Sequence, residues 1–383
     1  MFYDYESGEA TYSSPSGEVH GEISLKRQYR IRKGKMEYMI ESSVTVHDDI
    51  LQKELCSNAD DKMKNIVMTI QREQNRIIRN EDTPVLIIQG VAGSGKTSIA
   101  LHRIAYLLYA QKGKISSKDI LIISPNKVFA DYISNVLPEL GEEKIEECGF
   151  EELMLKILDN KYKIQTFFDQ VAEILDKEEE DFIERIRFKS TTEFIQQMDK
   201  YILYLEQNAF RPTDLKAGRI PIPAEYLKER FAAWHRLPMR CRFQPMAEEI
   251  ARELTFTYHQ EPMGKIQIRQ LGNELKKMFN NKDLDLYKGF YDWLGKPEMF
   301  KQGKNRKLEY ADVAPLLYLK LALEDNKTMY GIKHLLVDEM QDYTPIQYKV
   351  LAKLFPCRKT ILGDAKQSVN PYSSTTCEQI QRV

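Results

Sequence analysis

The chain has 383 residues, of which 42% are apolar and 30% charged, with a formal net charge of −1. This length exceeds one typical domain, so two or three are expected, and the near-neutral balance confines any nucleic-acid-binding surface to a local patch. Five scattered cysteines (Cys56, Cys148, Cys241, Cys357 and Cys377) without a C-x-x-C pair indicate neither a zinc site nor a disulfide framework, and the lack of a long apolar run or signal-like start predicts a cytoplasmic protein.

Residues 10 to 40 alternate polar and apolar positions, as in GEISLKRQYRIRKGKMEYMIES, with breaks at SSPSG and RKGK. An antiparallel β meander is expected over 1–47. From Asp48 to Asn80 the pattern is helical. The stretch VLIIQGVAGSGKTSIALHRIAYLLY then places a short β-branched run, Val85 to Ile88, ahead of a glycine turn and an amphipathic helix. Gly90, Gly93, Gly95, Lys96 and Thr97 fit G-x-x-x-x-G-K-[ST], a loop whose backbone N–H groups wrap a polyphosphate at a helix N-terminus. The phosphate-binding residues expected are Gly90, Val91, Ala92, Gly93, Ser94, Gly95, Lys96, Thr97 and Ser98. Lys96 would meet the β- and γ-phosphates, and Thr97 would hold Mg2+.

DILIISPNKVFADYISNVL supplies a second strand, Ile120 to Ile123, followed by a helix, and this repeated β-to-α step implies a parallel sheet over 48–147. Between 148 and 306 the texture changes to Lys/Glu-rich helical segments broken by FRPTDLKAGRIPIP, which reads as a helical insertion. Its charge run Asp176 to Asp181 reads as a solvated helix face. WHRLPMRCRF, residues 234–243, mixes arginine with aromatics; packing is the first reading and a nucleic-acid surface the second.

The strand pattern returns in IKHLLVDEMQDYTPIQYKVLAKLF and KTILGDAKQSVNPY, so the interrupted lobe resumes over 307–383. In HLLVDEMQD an apolar strand ends in consecutive carboxylates, at the carboxyl edge of a parallel sheet where ligands of open α/β folds sit. Asp338 has the chemistry to hold Mg2+ opposite Thr97, and Glu339 can orient and deprotonate a water. After the next strand, Gln367 of LGDAKQS can reach a γ-phosphate and report its presence.

Taken in order, TIQREQ, GVAGSGKTSIALHRIAYLL, ILIISPNK, LLVDEMQD and LGDAKQSV resemble the UvrD/Rep-type helicases of superfamily one. The resemblance implies an α/β fold with a RecA-like P-loop NTPase lobe, ATP with Mg2+, and Lys96, Asp338, Glu339 and Gln367 as the catalytic set. It makes Gln74 the glutamine that reads adenine through its amide. Ser124, Asn126 and Lys127 fall in the segment that contacts single-stranded DNA, where Thr-Phe-Thr-Asn-Lys appears here as Ile-Ser-Pro-Asn-Lys. Tyr372 of NPYSST is the aromatic left to stack on a base, without the family's arginine.

FYDYESGEATYSSPSGEVHGEISLKRQYRI, with TIQREQNRIIRN and KHLLVDEMQDYTPIQ, is similar to the narrower HelD family, helicase-like ATPases that bind bacterial RNA polymerase and release it from stalled complexes. This implies RNA polymerase as partner and a helical arm inserted in the first lobe. It also implies an N-terminal coiled-coil arm and a second lobe that supplies arginines to the transferring phosphoryl group. The chain is therefore expected to be incomplete at both ends, and on its own to bind nucleotide and hydrolyse it poorly. The alternatives are a DNA helicase or translocase moving 3′ to 5′ on single strands, and a nucleotide-binding module without hydrolysis.

Overall fold

The structure, a computed structural model, describes residues 8–14, 17–32, 34–41, 73–91, 93–125, 144–177, 179–217, 220–259, 261–280, 282–325, 331–364 and 367–368. The chain divides into two compact units, one made of Met1–Thr83 with Ser98–Ala110 and the other of Pro84–Thr97 with Gln111–Val383.

In the first unit, β1 (Gly8–Ser14) pairs antiparallel with β2 (Gly17–Ile23), and β3 (Arg27–Arg32) with β4 (Lys35–Glu41). The alternating pattern expected as one meander thus forms two separate two-stranded ladders. Residues 73–78 are helical. Arg103, on helix α1 (Lys96–Ala110), donates to the carbonyls of Ile77 and Ile78, each at 3.0 Å. Carbonyls at a helix end lack intrahelical partners, and a guanidinium there also suits the helix dipole.

The second unit is built on five parallel strands: β5 (Val85–Gln89), β6 (Ile120–Ile123), β7 (Glu146–Cys148), β10 (His334–Val337) and β11 (Arg358–Gly363). They lie in the order β5-β11-β10-β6-β7, while β8 (Leu215–Ala217) and β9 (Ile220–Ile222) form a separate hairpin. Every residue of β6 and β10 is buried, which explains their unbroken apolar runs: central parallel strands are covered on both faces. This is the α/β architecture expected of a RecA-like lobe.

Between β7 and β10 come α2 (Phe150–Ile157), α3 (Phe167–Lys177), α4 (Glu180–Lys189), α5 (Thr192–Asn208), α6 (Ala224–Ala233), α7 (Phe243–Tyr258), α8 (Lys265–Lys277), α9 (Asp283–Leu294) and α10 (Tyr310–Leu323). The core is continuous from sheet residues such as Leu121, Leu335 and Ile361 to helix residues such as Met154, Phe194 and Leu317. Helix α10 is mostly apolar on every side, Asp312 and Lys320 apart, and is correspondingly buried from Asp312 through Lys320. No helix among the described residues is long and apolar enough to cross a membrane.

A buried ionic cluster joins α4, α9 and α10. Arg185 makes a forked pair with Glu309, and Lys189 reaches Asp312 at 2.7 Å. The hydroxyl of Tyr287 also donates to Asp312, at 2.7 Å. Two cations against two carboxylates leave no net charge in the interior, as buried ions require. Most of the arginine–aromatic run is likewise spent internally, although His235 and Arg236 are exposed: Arg242 is 2% exposed, donates to Glu206 and the Leu237 carbonyl, and lies over the Phe231 ring. Arg240 pairs with Asp283, and the Trp234 indole donates to Glu249. Packing accounts for these side chains, whereas the described part of the charge run Asp176 to Asp181 is exposed, as a solvated face should be.

Candidate nucleotide and metal site

From the end of β5 the chain turns through Gly90 to Gly95 into α1. Gly93 and Gly95 stand at φ 77° and 83°, the left-handed region open to glycine, which lets successive N–H groups converge on one point. The entry to the turn is pinned where Gly90 N–H donates to the Gly363 carbonyl at 3.3 Å, and Ser94 N–H closes the inner loop on Val91. Helix α1 has no acidic residue in its first turn, so its positive end is not neutralised locally. Lys96 Nζ donates to the carbonyls of Gly90 (2.6 Å) and Val91 (3.0 Å), which holds its ammonium against the loop. Thr97 is exposed beside it.

Strand order brings the other candidates to the same edge. β11 lies between β5 and β10, with Gln89 opposite Gly363 and Val337 opposite both Ile361 and Ile123. The loop after β11 therefore leaves the sheet between the phosphate loop and the acid pair. Gln367 is exposed in that loop, its N–H donating to the Asp364 carbonyl at 2.9 Å. Asp338 N–H continues the ladder to Ile123, at 2.9 Å.

Glu339 then breaks the strand, with φ 51° and ψ 53°, and opens the short helical turn Met340–Asp342. A left-handed backbone at a residue with a side chain costs about 1 to 3 kcal/mol and recurs at functional sites. Burial, and secondarily the Glu339 carboxylate, push Asp338 up to about 6 against the opposing pull of its backbone hydrogen bond, Lys96 and Ser124. A half-buried carboxyl pair with so little compensating positive charge fits a divalent cation shared with Thr97, and the glycine loop with Lys96 fits a polyphosphate.

Ser124 was expected against a nucleic-acid strand. Its side chain is buried, 2% exposed, with the hydroxyl 3.5 Å from Asp338 Oδ2, so it serves the acid edge. Gln74 is half-buried in the helical residues 73–78, which belong to the other unit, as does Ser98. Ala92, Asn126, Lys127 and Tyr372 lie outside the described residues. Two participants were not singled out from the sequence: Gln341, bonded to both Glu339 and Asp364, and Gly363, packed against Met340. Their only advance signal is proximity to the motifs, because the bond to Asp364 crosses 23 positions of chain.

A family model described as UvrD/REP helicase N-terminal domain matches residues 70–383. Two curated proteins from strains of Staphylococcus epidermidis, each an ATP-dependent DNA helicase PcrA, are 39% identical over 82 residues. That alignment takes in 21% of this chain and 11% of each relative.

Proposed function

The chain belongs to the UvrD/REP helicase N-terminal domain family, and from that premise we propose that it is the ATP-binding lobe of a superfamily one motor that works on DNA. One observation carries the reading: a phosphate loop with its lysine, an acid pair and the Gln367 loop share the carboxyl edge of one sheet in one unit. In this reading 48–147 and 307–383 make the RecA-like lobe, 1–47 a small β domain and 148–306 a helical arm, and the protein works in the cytoplasm.

The loop N–H groups and Lys96 bind the phosphates of ATP. Asp338 and Thr97 hold Mg2+, which shields phosphate charge when bound. Glu339 accepts hydrogen bonds from the attacking water and takes its proton, and Gln367 contacts the γ-phosphate so that its loop responds to hydrolysis. Gln74 reads adenine. The DNA assignment follows the printed function of the relatives, DNA helicases. Asn126, Lys127 and Tyr372 are its proposed strand contacts.

A second reading, a HelD-like ATPase that remodels RNA polymerase, is favoured by one feature. Ser124, in the segment that would grip a strand, is buried and turned to Asp338.

The test is ATP turnover by the full-length protein, titrated with single-stranded DNA. Lys96→Ala is expected to abolish nucleotide binding, and Glu339→Gln to keep it while lowering turnover at least about a hundredfold. Stimulation of about tenfold or more by DNA, lost at high salt, supports the DNA motor. A flat DNA response with stimulation by core RNA polymerase supports the second reading, and turnover surviving in Lys96→Ala refutes both.

A further inference from the structure

We propose that Gln341 is a positioning residue that sets the carboxylate of Glu339 and ties it to the turn bearing Gln367; this rests on the nucleotide reading of the site. Gln341 is 4% exposed, and both ends of its amide are committed. Nε2 donates to Glu339 Oε2 at 2.9 Å, and Oε1 accepts from the Asp364 backbone N–H at 3.0 Å. The orientation of the amide follows from its partners, since a carboxylate only accepts and a backbone N–H only donates. Asp364 in turn accepts from the N–H of Gln367 at 2.9 Å. An unbroken series of hydrogen bonds and backbone thus joins the proposed base to the residue proposed at the γ-phosphate.

The surroundings leave Gln341 little freedom. The carbonyl of Met340 accepts from the Tyr348 hydroxyl at 2.9 Å, which fixes the turn on which Gln341 sits. On the other side, a Cβ on Gly363 would fall 2.7 Å from the Met340 nitrogen and closer still to Gln341 Oε1. Glycine at 363 is what allows the acid turn to close on β11. A glutamate side chain on a left-handed backbone residue has several rotamers open to it, and the Gln341 bond restricts them to one that faces the edge.

The rival role for Gln341 is purely structural, satisfying the buried N–H of Asp364. Gln341→Glu separates the two, because the new carboxylate can still accept from Asp364 but at pH 8 no longer donates to Glu339. In the full-length protein this variant is expected to lose some melting temperature, because a buried carboxylate is set against that of Glu339, but to keep the KM for ATP close to the parent's while kcat falls by about tenfold or more, the scale of loss that misplacing a reacting group brings. Gln341→Ala, which removes both bonds, is expected to lower kcat at least as far and to lower the melting temperature too, because it strands the buried N–H of Asp364. Parental kcat in both variants overturns the proposal and leaves the nucleotide reading intact. A parent protein that neither binds nor hydrolyses ATP overturns that reading first, and this one with it.

Discussion

Burial and the neighbouring Glu339 raise Asp338 from 3.8 to about 6. Between those values the folded chain holds a proton that the unfolded chain has released, so this carboxyl's contribution to stability falls as pH rises through that window and is flat above it. A divalent cation reverses the balance, because it binds the ionised form. Thermal stabilisation by Mg2+ with a nonhydrolysable ATP analogue is therefore expected to be larger at pH 7.5 than at pH 5. Asp338→Asn should remove that pH dependence while leaving the shift from nucleotide alone; an unchanged profile in this variant would place the cation elsewhere. The placement of Lys96, Asp338, Glu339 and Gln367 on one sheet edge was legible in the sequence because each follows a short strand, and strand ends carry the ligand-binding edge of such sheets. Gln341 was not, since its partners depend on which strand lies beside the acid turn. The burial of Ser124 was equally hidden, because a serine after an apolar run reads the same whether it faces solvent or a neighbouring carboxylate.

Helices α4 and α10 are held together by charges whose side chains have almost no contact with water, that of Lys189 being 1% exposed and that of Asp312 0%, and Tyr287 of α9 donates to the same Asp312. Removing one member strands the other, so Lys189→Met is expected to cost about 3 to 5 kcal/mol of unfolding free energy. The double variant Lys189→Met with Asp312→Leu should recover much of that loss, since a well-packed apolar pair can replace a buried ion pair. Urea denaturation of these two variants and of Asp312→Leu alone checks this, and a double variant whose loss equals the sum of the two single losses would show that the charges are not coupled. Helical character between 148 and 306 was plain from periodicity. Which cations are internal was not, because Arg185, Lys189 and Arg242 differ from solvated neighbours only through partners on other elements. At the amino end, alternation announced strands correctly, but one meander and two separate ladders share the same alternation.

The order β5-β11-β10-β6-β7 sets the first strand of the sheet in sequence beside the last, and in the described sheet β11 is the sole neighbour of β5. Sequence could place a phosphate loop after β5, yet it could not say what pins that loop, since pairing across so many residues leaves no local trace. The pin is the bond from Gly90 to Gly363. During synthesis the glycine loop leaves the ribosome well before β11, its strand's neighbour in the described sheet, with residues 98–357 still to be made. Closing so long a loop carries an entropic cost that only the completed core repays, and late long-range pairing of this kind is slow. A chain ending at residue 357, with every residue of the phosphate loop and both acids in place, is expected not to retain a nonhydrolysable ATP analogue in equilibrium binding; retention would mean that the loop holds its shape without β11. On that expectation the loop takes up its binding shape only once β11, the latest of the described strands, is in place.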